Sequence, residues 1–160
     1  MSGNITIRQA TIDDIPALVR LRRMMFEAMG FEDPTQLDAA DKAAKNYFSK
    51  AIPAELFHGW LAVTSKGNTV GAGGVVIDQH PPGPENLSGQ IGYIMNLVTI
   101  PLYRRRGIAR RIMQRMLEWL EGQGIQTQTL HATASGRPLY EELGFIESNE
   151  MRRKFEEGFG

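Results

Sequence analysis

Apolar residues recur along this chain at two spacings, and each switch between them marks a new element. Residues 4–9 alternate apolar and polar positions (Asn4-Ile5-Thr6-Ile7-Arg8-Gln9) and predict a first strand. Thr11-x-x-Asp14 has the spacing of a capping box, while an N-cap at Asp13 would place Pro16 inside the first turn; both readings start a helix. Its core stripe is Ile15, Leu18, Val19, Leu21, Met25 and Met29, and Gly30 stops it. Residues 35–50 predict a weaker helix beside the first. Residues 60–64 and 69–78 predict two strands joined by Ser65-Lys66-Gly67-Asn68, a turn-rich run suited to a hairpin.

His80-Pro81-Pro82-Gly83-Pro84 is a loop, since its prolines cannot donate to a ladder. Residues 90–100 read as a long, nearly continuous apolar strand of the kind buried on both faces. After a turn of three arginines and Gly107, a helix runs to about Gly122. Ile108, Ala109, Ile112, Met113, Met116, Leu117 and Leu120 form one face, and Arg110, Arg111, Gln114, Arg115, Glu118 and Glu121 the other. Residues 127–132 predict a strand, so 90–132 form a strand-helix-strand crossover with parallel, right-handed strands. A short helix at 137–143, stopped by Gly144, and a last strand at 151–155 close the chain. No repeat or linker interrupts it, and 1–160 reads as a single domain.

The 160 residues can bury about two thirds of their unfolded surface. Apolar residues make up 42% of the chain, no run approaches the ~20 of a membrane span, and the N-terminus lacks the features of a signal peptide. The expectation is a soluble, cytoplasmic protein without a membrane partner. With no cysteine, disulfides, thiolate metal sites and acyl-cysteine intermediates are excluded. His58, His80 and His131 have no mutual metal spacing, and no metal is expected. Eighteen basic and eighteen acidic residues cancel, which argues against a nucleic-acid partner. Gly71-Ala72-Gly73-Gly74 lacks the following helix of a dinucleotide loop and reads as close strand packing or a bulge.

Charge is nonetheless concentrated. Arg104, Arg105, Arg106, Arg110, Arg111 and Arg115 lie together with no acid among them. The first N–H groups of a helix lack internal partners and carry about half a positive charge, so the turn before the predicted helix can hold a phosphate by main chain. Gly107 removes the Cβ that would block a close approach.

With the turn placed between strand and helix, the chain resembles the GCN5-related N-acetyltransferase (GNAT) superfamily. One part of the resemblance is Leu97-Val98-Thr99-Ile100-Pro101-Leu102-Tyr103-Arg104-Arg105-Arg106-Gly107-Ile108-Ala109, similar to the family's (Gln/Arg)-x-x-Gly-x-(Gly/Ala) coenzyme motif and its preceding strand. The other is Pro138-Leu139-Tyr140-Glu141-Glu142-Leu143-Gly144-Phe145, similar to its closing Leu-Tyr-x-x-x-Gly-Phe. The resemblance implies an α/β (α+β) fold with a mixed, mainly antiparallel twisted sheet flanked by helices on both faces. It also implies acetyl-coenzyme A as donor, lying where the strand ending at Ile100 parts from the one starting near Thr127. Main-chain groups of Leu97, Val98 and Thr99 would pair with the pantetheine arm. Residues Arg104, Arg105, Arg106, Gly107, Ile108 and Ala109 would wrap the pyrophosphate, with Arg104, Arg105 and Arg110 as side-chain contacts. Ser135 or Arg137 stands where the family often has an asparagine for the pantetheine.

The implied reaction is direct attack of a primary amine on the thioester, with Met25, Phe26 and Met29 of the first helix as candidates for the acceptor lining. A small-molecule acceptor is favoured, because no segment resembles a peptide-recognition module, and a homodimer is compatible with the chain. Tyr140 is the candidate for assisting departure of the coenzyme thiolate. Many relatives carry a glutamate on the central strand; here the stretch is Met95-Asn96, and Asn96 can orient a water or the acceptor but not accept a proton usefully. Glu55, His58 and Asp78 are alternative bases. The missing base motivates a second reading, a non-catalytic acetyl-coenzyme A sensor of the same fold.

Overall fold

A computed structural model of the chain describes residues 4–155. Its elements are β1 (Ile5–Gln9), α1 (Ile15–Ala28), α2 (Pro34–Ala51), β2 (Phe57–Thr64), β3 (Thr69–Gln79), β4 (Gln90–Thr99), α3 (Ile108–Gly122), β5 (Thr127–Leu130) and α4 (Arg137–Glu142). The strands form one sheet in the order β1-β2-β3-β4-β5, antiparallel throughout except for the parallel pair β4 and β5. No helix among the described residues is long and apolar enough to cross a membrane.

Local chemistry accounts for the helix starts. Thr11 Oγ1 accepts from the Asp13 N–H (3.3 Å) and Asp14 Oδ2 accepts from the Thr11 N–H (2.8 Å), so the capping box is complete. It caps a single 3-10 turn, Ile12–Asp14, and Asp14, not Asp13, then serves as the N-cap of α1, with Pro16 in its first turn. Asp33 caps α2 by accepting from the Thr35 N–H at 3.0 Å. The second helix is stronger than its periodicity suggests, burying Leu37, Ala44, Phe48 and Ala51.

Period-two alternation splits the core. Trp60 and Ala62 of β2 face α3, whereas Phe57 and Leu61 face α1 and α2. Helices therefore cover both faces. The glycines of β3 let the layers approach: a Cβ on Gly73 would stand 2.8 Å from Ile112 Cγ2 and Met116 Cε, and one on Gly74 would stand 2.4 Å from Phe57 Cζ. A register shift falls between Ala72 and Gly74.

Three expectations are corrected. The stripe of α1 ends sooner than its periodicity implies, with Met29 61% exposed because the chain leaves the helix at Ala28 and nothing covers that residue. β4 is mostly half-buried rather than buried on both faces: only Gly92 and Ile94 are buried, and even Ile91 and Tyr93, which pair with β5, keep part of their surface, since an edge pairing covers no face. The last strand does not form: residues 145–155 are neither strand nor helix, and Ile146, Met151 and Phe155 are 91%, 98% and 77% exposed. A segment becomes a strand only where a partner edge accepts its backbone. An ion pair of Arg137 Nη1 with Glu147 Oε1 (2.8 Å) ties the segment to the start of α4 instead.

Candidate active site

Asn96 has a left-handed backbone, φ +56°, in the interior of β4. The register explains it. Gly74 is opposite Met95 but Ala72 is opposite Val98, so β4 fits one more residue than β3 into the same stretch. The extra residue is a β-bulge, and asparagine tolerates the required conformation better than most residues. The bulge also shifts the alternation. Ile94 and Leu97 both face α3, and Met95 and Val98 both face α1 and α2, each pair three residues apart instead of two.

The bulge lies just past Ile94–Leu130, the last pair between β4 and β5. From Met95 to Thr99 the β5 side of β4 has no strand, and the parallel strands part there. Leu97, Val98 and Thr99, expected to meet the coenzyme arm through their main chain, all lie in this opened stretch.

At its end, residues Pro101–Tyr103 form a 3-10 turn, and Arg104 Nε donates to the Thr99 carbonyl (3.2 Å). Arg105 (φ +63°) and Gly107 (φ +76°) are both left-handed, curling the chain into α3. Gly107 is the N-cap, without a side-chain cap, and its carbonyl accepts the Arg111 N–H at 3.1 Å. The N–H groups of Ile108, Ala109 and Arg110 therefore precede the first internally bonded donor of the helix, the Arg111 N–H, and have no acceptor within it. A Cβ on Gly107 would meet nothing within 4 Å, so this helix end is open. Thr99 is opposite Gly71, which abuts Ile108 and Ile112, so its side chain shares the α3 face; its Oγ1 is buried with no hydrogen-bond partner among the described residues. Free N–H donors, arginines and an unpaired hydroxyl in one run suit a polyphosphate ligand.

The arginines do different work. Arg111 Nη2 donates to the Ile5 carbonyl (2.8 Å) and Arg115 Nη1 to the Ile7 carbonyl (3.4 Å), fastening α3 to β1. The Arg106 guanidinium lies 4.8 Å from the Tyr103 ring centroid. Arg110, expected to reach a phosphate, is paired with Glu142 of α4, so its charge is already balanced. Arg104 and Arg105 have no carboxylate partner among the described residues.

Tyr140 packs against the same core cluster as Leu97 and Tyr103, and its ring meets Phe145 edge-on at 6.3 Å. Burial pushes its phenol above the ordinary tyrosine range, because the phenolate would lose solvation. Thr133 prepares this helix: its Oγ1 accepts the Gly136 N–H at 3.2 Å and lies 3.4 Å from Ser135 Oγ, while its carbonyl accepts the Arg137 N–H at 3.0 Å. Arg137 is engaged with Glu147 and, at 3.7 Å, with Glu141.

Met25 and Phe26 lie in the last turns of α1, a helix that packs over β3 and β4, and Met29 is the residue that follows it as C-cap. Phe26 meets Phe31 edge-on at 5.9 Å and carries the Arg22 guanidinium 4.8 Å from its centroid. The alternative bases lie elsewhere. His58 stacks on Trp119 with centroids 4.2 Å apart, and Trp119 is about 16 Å along α3 from Ile108 at 1.5 Å per residue. Asp78 is opposite Ile91, about 17 Å along β4 from Asn96 at ~3.4 Å per residue. Glu55 and His58 line a cavity of about 620 Å³ with Gln79, Gln90 and Trp119, and that cavity includes none of the turn residues, Asn96 or Tyr140. Gly136, whose lack of a side chain accommodates the Tyr140 ring, and Glu142, the partner of Arg110, escape sequence reading. The one local signal for Gly136 is its position four residues before Tyr140.

The chain resembles several solved structures throughout its length. A predicted acetyltransferase from Clostridium acetobutylicum, solved with acetyl-CoA, is 27% identical with a TM-score of 0.86, covering 95% of this chain and 96% of that one. A GCN5-related N-acetyltransferase from Ralstonia eutropha is 29% identical with a TM-score of 0.86, covering 95% and 99%. The aminoglycoside N-acetyltransferase AAC(6')-Iy, in complex with CoA, shares the fold at 16% identity and a TM-score of 0.74, covering 99% and 98%. Among curated proteins none matches in sequence at a significant level. The model of the Acetyltransferase (GNAT) family matches residues 18–145, most of the sequence, and the chain belongs to that family of acetyltransferases.

Proposed function

We propose that the protein transfers the acetyl group of acetyl-coenzyme A to the primary amine of a small molecule, with both substrates bound together. The observation that carries this reading is the opened edge of β4 beyond Ile94 leading directly into the uncapped start of α3. The peptide groups of Leu97, Val98 and Thr99 hold the amide-containing arm. The turn from Arg104 to Ala109 holds the diphosphate, with Arg104 and Arg105 supplying charge; Arg110 joins them on exchanging Glu142 for phosphate. Ser135 and Arg137 flank the arm from the start of α4. Acetyl-CoA in the Clostridium structure and CoA in AAC(6')-Iy support the choice of donor.

In the reaction the amine nitrogen forms a bond to the thioester carbonyl carbon, and the carbon–sulfur bond breaks. The nitrogen loses a proton and the departing thiolate gains one. An amine of pKa near 10.4 is almost wholly ammonium at pH 7, and freeing its lone pair costs roughly 4–5 kcal/mol at 1.36 per unit. Asn96, held at the bulge, orients the acceptor or a water that carries this proton away. Tyr140 donates a hydrogen bond to the leaving sulfur. Its raised pKa keeps the phenol protonated at neutral pH, which suits a donor and not a base. Met25, Phe26 and Met29 face the acceptor.

Release of coenzyme A thiol, read with a chromogenic disulfide over a panel of primary amines, tests the reading. Turnover with at least one small amine is the expected result. Tight acetyl-coenzyme A binding without release for any amine would assign the fold to a coenzyme sensor instead.

A further inference from the structure

Arg22 stands where α1 should be apolar. At about 100° per residue it falls between Leu18 and Ile15 on the helix, inside the arc defined by the buried residues Ile15, Leu18 and Leu21. Its Nε is buried and has no hydrogen-bond partner among the described residues, and none of the ion pairs among those residues involves it. The neighbouring arginine shows the ordinary alternative: Arg23 Nη1 binds Asp38 Oδ1 at 2.7 Å and Asp41 Oδ2 at 2.8 Å. Asp41, the acid whose charge acts on Arg22, is thus already engaged. Desolvation outweighs that charge and lowers the Arg22 pKa.

Arg22 is half-buried, and a buried donor left unused is costly unless a ligand completes it. The Arg22 guanidinium carbon lies over the Phe26 ring, 4.8 Å from the centroid, and Phe26 is one of the residues assigned to the acceptor. We infer that Arg22 is a specificity-determining residue of the acceptor site, binding an anionic group, carboxylate or phosphate, carried by the amine substrate. The planar fork of an arginine matches the paired oxygens of both groups. The acceptor class is then an acidic amine. This inference rests on the acetyl-transfer reading above.

Its test compares matched amines: β-alanine with β-alaninamide, and phosphoethanolamine with ethanolamine. Thiol release is followed for wild type, Arg22→Met and Arg22→Lys. The expected result is a wild-type preference for the acidic member of at least one pair, and a 10- to 100-fold fall in the acidic-to-neutral ratio of kcat/KM in Arg22→Met, carried mainly by KM. The pair that shows the fall identifies the anion. A ratio unchanged in an Arg22→Met protein that binds coenzyme A like wild type overturns the inference. If the methionine variant does not fold, Arg22→Lys decides: loss of the fork reduces the ratio several-fold, and an unchanged ratio overturns the proposal. Should wild type turn over no amine, the acetyl-transfer reading fails, and calorimetry with β-alanine and phosphoethanolamine on the coenzyme A complex tests Arg22 separately. Heat that is lost in the variant supports the anion site, and absence of heat from both probes overturns it.

Discussion

A Cβ on Gly136 would stand 2.7 Å from Cε2, Cζ and Oη of Tyr140, so the bare backbone at one residue sets where the ring of the other can lie. Gly136 has φ −87° and ψ −20°, a conformation open to any residue, which leaves the ring as the reason for glycine. Gly136→Ala is expected to push the ring aside and slow turnover about 10- to 100-fold, since a displacement of about 1 Å at a reacting group costs on that order. The same substitution in a Tyr140→Phe background adds little if the ring acts through its hydroxyl. Steady-state rates of the two single variants and the double variant check this, and full additivity would disconnect Gly136 from Tyr140.

Tyr140→Phe should reduce kcat about 10²-fold and leave coenzyme affinity near wild type, because the ring still packs on Phe145 while the proton donor is gone. Burial raises the phenol pKa, so the donor stays protonated through neutral pH and is lost only on the strongly basic side. The wild-type rate then carries a basic limb that the phenylalanine variant lacks. A variant at wild-type rate removes Tyr140 from the reaction.

The arginines should separate into two classes under calorimetry and thermal unfolding. Arg104→Ala is expected to weaken coenzyme A binding about 10-fold or more, as charge-assisted hydrogen bonds contribute ~1.5–3 kcal/mol. Gly107→Ala forces a side chain into a left-handed residue at about 1–2 kcal/mol, with open space around the added carbon, so it acts through backbone strain at the phosphate turn. Arg111→Met should lower the unfolding temperature with little change in coenzyme affinity, because its guanidinium holds the Ile5 carbonyl. Equal affinity losses at Arg104 and Arg111 would contradict this division.

Asp14 links β1 to α1. Its carboxylate takes two hydrogen bonds from Arg8, each 2.8 Å, and one from the Thr11 N–H. The Arg8 hydrogen bond, more than the Thr11 backbone, holds the Asp14 pKa below its ordinary value of 3.8, against the opposing effect of burial. A depressed carboxylate pKa contributes stability above the unfolded value and loses it as pH falls through the folded one. Asp14→Asn should therefore cost about 1 kcal/mol at pH 7, the upper end for a partly exposed ion pair, and the difference from wild type should shrink below about pH 4. Urea unfolding at pH 7, 5 and 3 measures it; a gap that widens in acid has the wrong sign.

Much of the fold is legible in the sequence because its signals are local. Apolar spacing tells a strand from a helix; Thr11 and Asp14 mark a start through the side-chain hydrogen bonds of a capping box, and Gly30, Gly107 and Gly144 mark ends through left-handed backbones that glycine supports best. The parallel pairing of β4 and β5 follows from the length of the crossover between them. Residues 151–155 show the boundary of that kind of inference: expected as a last strand, they pair with no strand edge among the described residues.

By itself, then, the amino-acid order determined most of the elements and the turn of arginines and glycine before α3, since each depends on neighbours a few positions away. Only the tertiary structure decided the bulge at Asn96, which needs the β3 register to expose the extra residue. It also decided that Arg110 meets Glu142 while Arg111 and Arg115 hold β1, and that Glu55, His58 and Asp78 lie away from the opened β4 edge. Those outcomes turn on distances between segments far apart in the chain, where a side chain's charge or polarity says what it can bind but not what it will reach.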